Sequence, residues 1–202
     1  MSETNYTVDS DLKEAKAMVS GLGDYVKGSE LYGKTGSGGL FSMGQMPSLT
    51  VGALLMRLRR LAAQRDRLSP AQQEELSRTE AAHETARRAW QGHYDAKMNR
   101  EALSRLKAMD AYFEELRENP RMAASSYMPE ALRRTIAQEL LMALTAEGQP
   151  TTEIEEAMRA VDSRLRRWVR PADFIWSAEI APAYDNKQFW WLYSKPQQLA
   201  DK

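Results

Sequence analysis

Two histidines, no cysteine and one stretch that spells a phosphate-binding loop are the chain's most visible offers of chemistry. The stretch is Gly28-Ser29-Glu30-Leu31-Tyr32-Gly33-Lys34-Thr35, which fits G-x-x-x-x-G-K-[ST] at every position. A working loop of this kind needs a buried strand before it and a helix after it. Backbone N–H groups and the helix N-terminus then converge on the phosphates. Here an amphipathic helical pattern leads in, and Gly36-Ser37-Gly38-Gly39 follows where the helix should begin. No apolar strand ending in an acid comes later to hold magnesium. Residues 28–35 therefore read as loop, with nucleotide binding kept as a second alternative and no cofactor expected.

Glu80-Ala81-Ala82-His83 matches one half of the Glu-x-x-His pair found in helical di-iron sites. The second half is missing. His93, the other histidine, lies ten residues on, about 80° away from a shared helix face. No metal site is expected, and His83 reads as a half-buried seam residue. With no glycine-framed serine or cysteine near either histidine, no catalytic residue is assigned, and the leaning is away from an enzyme.

Two arginine clusters remain: Arg57-Leu58-Arg59-Arg60 and Arg164-Leu165-Arg166-Arg167-Trp168-Val169-Arg170. The second is read as the end of a helix, 159–170, where cations favour the dipole. The same guanidiniums beside an indole could also grip phosphate and stack on a base. Beyond Pro171 the residues Phe174, Trp176, Tyr184, Phe189, Trp190, Trp191 and Tyr193 form an aromatic tail. Aromatics and arginine are the common anchors of interfaces. The candidate interaction residues are thus Arg164, Arg167, Trp168, Arg170, Trp176, Phe189, Trp190, Trp191 and Tyr193.

Composition narrows the partners. Lysine plus arginine equals aspartate plus glutamate at 28 each, so no global field draws the chain to phosphate. Absence of cysteine removes disulfides and thiolate chemistry, and Met1–Asp11 has no apolar core of a signal peptide, so the cytoplasm is the expected address. Thr35–Met56 runs 22 residues without a charge, long enough to cross a bilayer. Its five glycines and Pro47 argue against a transmembrane span. Peripheral membrane contact through Leu40, Phe41, Met43 and Met46 is weighed and not favoured.

The elements that must carry these residues read as all-α. Residues 1–9 are expected to be a flexible tail, and Ser10 to cap a helix over 11–27 whose stripe is Leu12, Ala15, Val19, Leu22 and Val26. Gly28 should follow it as a C′ residue. A glycine-rich loop, 28–47, lies back on apolar surface. A helix from Ser48 or Thr50 to Leu68 should return as a hairpin on a long central helix of about 70–118. Ser69-Pro70-Ala71-Gln72 opens that helix, and Asn119-Pro120 closes it. Unbroken, it would be roughly 70 Å long at 1.5 Å per residue. Gly92 marks the cheapest place to bend. Its first half has Leu76 as its one large aliphatic, so it forms an alanine-lined seam or stands partly in solvent. Helices from Pro129 to Ala146, stopped by Gly148, and from a Thr152-Glu155 capping box to about 169 make a C-terminal pair, 129–170. The tail, 171–202, reads as a short helix through Tyr193 or as a hairpin of 174–180 with 188–193. These features give a helical bundle working as a non-enzymatic assembly or adaptor protein. Its partner is another protein or a second copy, with nucleic-acid association through 159–170 as the alternative.

Overall fold

A computed structural model of the chain describes residues 3–35, 47–119 and 125–197. The chain is mainly helical, 72%, with a small two-stranded pair near its C-terminus that bears an aromatic cluster. It divides into two compact units, Met1–Glu101 and Ala102–Lys202.

In the first unit, helix α1 is Val8–Lys27. Its cap is Thr7 rather than Ser10: the Thr7 hydroxyl accepts from the Ser10 N–H at 3.2 Å, and Ser10 donates onward to Glu14 at 3.3 Å. An extended Thr7 with Asp9 and Asp11 behind it satisfies the first turn better than Ser10 could. Leu12, Ala15, Leu22 and Val26 are buried as the periodicity predicts, with Met18 in place of Val19. Gly28 does follow the helix, but with φ of −71° it is extended, not left-handed. The segment expected to be a loose tail is anchored from Glu3 onward. Glu3 pairs with Arg60 at 2.5 Å, and the Tyr6 hydroxyl accepts from Gln64 at 2.8 Å.

Helix α2, Val51–Ala63, starts at the Thr50 cap and ends five residues before Leu68. A single 3-10 turn, Arg65–Arg67, completes the corner. Helix α3 is Pro70–Ala89, and its capping box forms as the sequence predicts: Ser69 and Gln72 each accept from the other's backbone N–H. The closest helix approaches in this unit are α1 on α3 and α1 on α2. In place of the expected close pairing of α2 with the alanine-rich helix, α1 is the neighbour the two share, and the corner itself reaches α3 through Arg65 and Glu80 at 2.5 Å.

The expected unbroken central helix is two helices. Trp90, at φ −131° and ψ 33°, leaves the helical region between α3 and α4, Gln91–Glu118. His83 and Tyr94 show that the chain turns there. Their Nε2 and hydroxyl oxygen are 2.7 Å apart across eleven residues, which a straight helix would hold about 16 Å apart, beyond the two side chains' reach. The bend sits at Trp90 rather than Gly92. The Trp90 indole has the Lys27 ammonium over it at 4.9 Å and His93 against its edge, whereas Gly92 touches nothing that would favour a kink.

In the second unit, which takes in the C-terminal part of α4, helix α5 is Tyr127–Ala146. It begins two residues before the predicted Pro129 and ends at Gly148 as predicted. Gly148 is left-handed, φ 66°, and the bonds Gly148 N–H to Thr145 and Gln149 N–H to Leu144 close a Schellman motif. Helix α6 is Thr152–Leu165; its N-cap is Thr151, which donates to Glu155 at 2.7 Å, and the predicted box at Thr152 does not form.

The largest departure from the sequence reading follows Leu165. The arginine-rich stretch leaves the helix, turns at 166–168 and becomes strand β1, Val169–Pro171, antiparallel to β2, Ser194–Pro196. Proline explains it: Arg170 and Lys195 each precede one, and a residue before proline is driven to extended backbone. The tail is neither predicted alternative. It holds two 3-10 segments, Ala178–Ala183 and Trp190–Tyr193, between the strands. No helix among the described residues is long and apolar enough to cross a membrane.

Candidate functional site

The tail aromatics pack as a chain of rings. Trp176 meets Tyr184 at 5.4 Å, Tyr184 meets Phe189 at 5.0 Å, and Phe189 meets Trp191 at 5.5 Å. Trp176, Phe189 and Trp191 are buried within their own unit. Trp191 is the anchor. Its Nε1–H donates to Thr135 at 2.8 Å, its carbonyl accepts from the Tyr127 hydroxyl at 2.7 Å, and the Arg134 guanidinium lies 3.9 Å from its ring centroid. Arg134 is itself held by Asp162 through two bonds, 2.7 and 3.0 Å. Burial pushes the Tyr127 hydroxyl well above its usual range. Trp190 and Tyr193 are half-buried, and Tyr193 donates to the Tyr184 carbonyl at 2.8 Å.

The arginines divide. Arg164 is engaged, bonded to Asp110 at 2.5 Å and lying 4.1 Å over Phe113. Arg166, not singled out by the sequence reading, lies 3.8 Å over Trp190. Arg167 and Arg170 are exposed. In the β1/β2 register Arg170 stands directly opposite Lys195, while Val169 and Ser194 point to the buried side. Bonds from Gln197 N–H to Trp168 and from Ala172 N–H to Tyr193, both 2.9 Å, extend the ladder at each end. Because alternate residues share a face, Gln197 falls on the side of Arg170 and Lys195, and Trp168, the last residue of the turn, lies two residues before Arg170 and accepts the Gln197 N–H. The signal for Lys195 was present in the sequence as a second Lys/Arg-Pro step, and its pairing partner was not.

The phosphate-loop match has none of the required surroundings among the described residues. Gly28 closes the C-terminal end of α1, where carbonyls rather than N–H groups are free. Gly33 exchanges two bonds with Leu49, at 2.9 and 2.8 Å, and a Cβ on it would come within 2.7 Å of the Tyr25 ring. Leu40, Phe41, Met43 and Met46 lie outside the described residues. His83 pairs with Tyr94, Glu80 pairs with Arg65 at 2.5 Å, and no cluster of metal-ligating side chains occurs among the described residues. Burial holds the His83 imidazole below its usual range.

Two further features stand out, the first without a forecast in the sequence. One is a buried ionic cluster in the first unit: Arg57 pairs with Glu14 at 2.5 Å and lies 3.7 Å from Asp11, which is 3.9 Å from Arg60. Burial outweighs both guanidiniums and raises the Asp11 carboxyl to about 7. Nearby, the fully buried Glu101 accepts from the Gly52 N–H at 3.0 Å, at the positive end of α2. The other is the exposure of α3, whose buried residues are Leu76, Thr79 and His83 alone. Ala71, Ala81, Ala82 and Ala89 face solvent. Of the two roles foreseen for this half, partial solvation is the one realised.

Comparison with protein-family models, with curated proteins and with solved structures gave no match.

Proposed function

We propose that this chain is a non-enzymatic helical assembly or adaptor protein whose partner is another protein or a second copy of itself. The observation that carries the reading is α3. A helix of 20 residues that packs on α1 buries three of them, so much of its length is left to solvent. Its outward face is nonetheless lined with alanines between short ion pairs, Glu74 with Arg78 and Glu84 with Arg88. Small residues let another helix come close, and the flanking charges can exchange partners across a contact. The absence of cysteine suits a cytoplasmic setting.

The test is affinity purification at native abundance, run beside light scattering, for the wild type and Ala82→Arg. Ala82 is exposed, so its variant should melt within about 0.5 kcal/mol of wild type. A partner or an oligomer lost in Ala82→Arg supports the reading. A wild-type monomer whose captured proteins are the same as the variant's refutes it.

A second reading, association with nucleic acid through the 164–170 stretch, is supported by the exposed Arg167 and Arg170 and by Arg166 stacked over Trp190.

A further inference from the structure

We infer that the outer face of the β1/β2 pair, formed by Trp168, Arg170, Lys195 and Gln197, binds single-stranded nucleic acid. The phosphodiester sits between Arg170 and Lys195, and a base stacks on Trp168. The inference rests on the second reading above and locates it on a strand pair instead of a helix.

Arg170 and Lys195 are directly opposed in an antiparallel pair and both are exposed. Like charges in that relation destabilise the pair. Neither can slip to a less repulsive register, because each is fixed as the extended residue before a proline. The neighbouring arginines do not relieve the repulsion: Arg166 is over Trp190, Arg167 is exposed, and Arg164 is already matched by Asp110. Among nearby acids, Asp162 is held by Arg134, and neither Arg170 nor Lys195 forms an ion pair among the described residues. The face is therefore a local excess of positive charge on a chain that is neutral overall. An anion set between the two side chains removes the repulsion and is held by both.

The other residues on the face select the kind of anion. Trp168 is half-buried at the turn that leads into β1, two residues before Arg170, so its indole is an aromatic surface next to the cations; the Gln197 amide is held to the Val169 carbonyl at 3.3 Å and fixes that edge of the face. Cations that track a backbone next to an aromatic surface are the shared elements of single-strand binding. Two cations alone hold an anionic membrane weakly, at about 1 kcal/mol each, and firmer binding needs apolar side chains that enter it. The exposed large apolar residues of the described chain, Tyr32 and Trp90, belong to the other unit.

The experiment is fluorescence anisotropy with labelled oligouridine and oligodeoxythymidine of about a dozen nucleotides, between about 50 and 200 mM salt. Phosphatidylserine vesicles serve as a second probe. Wild type should bind the oligonucleotides and weaken as salt rises. Arg170→Ala and Lys195→Ala should each weaken binding several-fold and flatten the log–log salt slope by about 0.7, the loss of one single-strand phosphate contact. Trp168→Ala should weaken binding and leave the slope unchanged. Lys107→Ala, an exposed position on α4, should change nothing. Lys195→Glu should abolish binding while raising the melting temperature, because it turns the opposed pair into an attractive one. Absence of binding at low salt overturns the surface and the second reading together. Binding that survives Arg170→Ala and Lys195→Ala unaltered overturns the surface and leaves the reading standing. Vesicle binding without oligonucleotide binding, or a lower melting temperature for Lys195→Glu, also overturns it.

Discussion

Arg57 and Arg60 in the first unit and Arg134 in the second are all nearly inaccessible to water, yet they are buried in different ways. In the first unit, two guanidiniums face three carboxylates, Glu3, Asp11 and Glu14. In the second, one guanidinium has one matched carboxylate, Asp162, and spreads its remaining face over Trp191. The first arrangement carries one negative charge more than its cations can balance. The second is closed. A buried charge set adds stability only when each member keeps its partners. The first unit should therefore respond to single changes and to pH, and the second mainly to changes of volume.

The largest test of that contrast is Arg57→Ala. It strands Glu14 and removes one of the two cations facing Asp11, so the first unit should lose about 3–5 kcal/mol. Arg57→Met combined with Glu14→Met removes the charges together and should recover most of the loss. Urea unfolding followed at Trp90, the one tryptophan of that unit, measures both. A double variant as unstable as the single one would mean that geometry, not stranded charge, sets the cost.

Asp11→Asn comes next. Its folded carboxyl is raised to about 7 from an ordinary 3.8. The folded state therefore binds the proton more tightly, and the stability this contributes is complete below about pH 4 and is lost as pH rises through 7. At 1.36 kcal/mol per unit, and allowing for coupling to Glu3 and Glu14, the loss is about 2–3 kcal/mol. Asparagine should match wild type near pH 4, exceed it at pH 8, and flatten the profile between. Parallel pH profiles would remove Asp11 from the account. Trp191→Phe in the second unit should show no such profile. It loses the bond to Thr135, whose hydroxyl keeps the Ala131 carbonyl, and leaves space where the indole was, for about 1–2 kcal/mol at every pH.

The same contrast marks what the sequence discloses. Helix starts at Ser69 and Thr50 and the stop at Gly148 are local events, set by side chains within a few residues, and they read correctly. The mainly helical class follows from such signals. The strand pair does not, because Arg170 and Lys195 are extended by their own prolines but meet across 24 residues of tail. Helical periodicity through Arg164–Arg167 hid the exit. The ionic cluster was equally hidden: Asp11 and Glu14 lie at the start of one predicted helix, and Arg57 and Arg60 in an arginine cluster on the next. Nothing local says that α1 and α2 will turn those faces toward each other. Of the candidate residues, Arg167 and Arg170 are exposed, while Trp176, Phe189 and Trp191 serve the core. Tail aromatics carry no sequence mark that separates the two fates.

The smallest expected effect sharpens the question of what bends the chain between α3 and α4. Gly92 lies in the first turn of α4, and a Cβ added there would meet nothing within 4 Å. If the corner is set by Trp90 and by the His83–Tyr94 bond, then Gly92→Ala costs no contact. It restricts the unfolded chain and favours the helix, for a gain of a few tenths to about 1 kcal/mol. If the corner instead needs glycine's freedom, the variant should lose stability and open the turn. The His83 imidazole reports which occurs. Its affinity for a proton is held down by burial against Tyr94, and an opened corner would return it toward an ordinary histidine's. An NMR titration of the two histidines should thus show His83 unchanged in Gly92→Ala beside a slightly higher melting temperature. A His83 whose proton affinity rises to an ordinary histidine's would place the hinge at Gly92 after all.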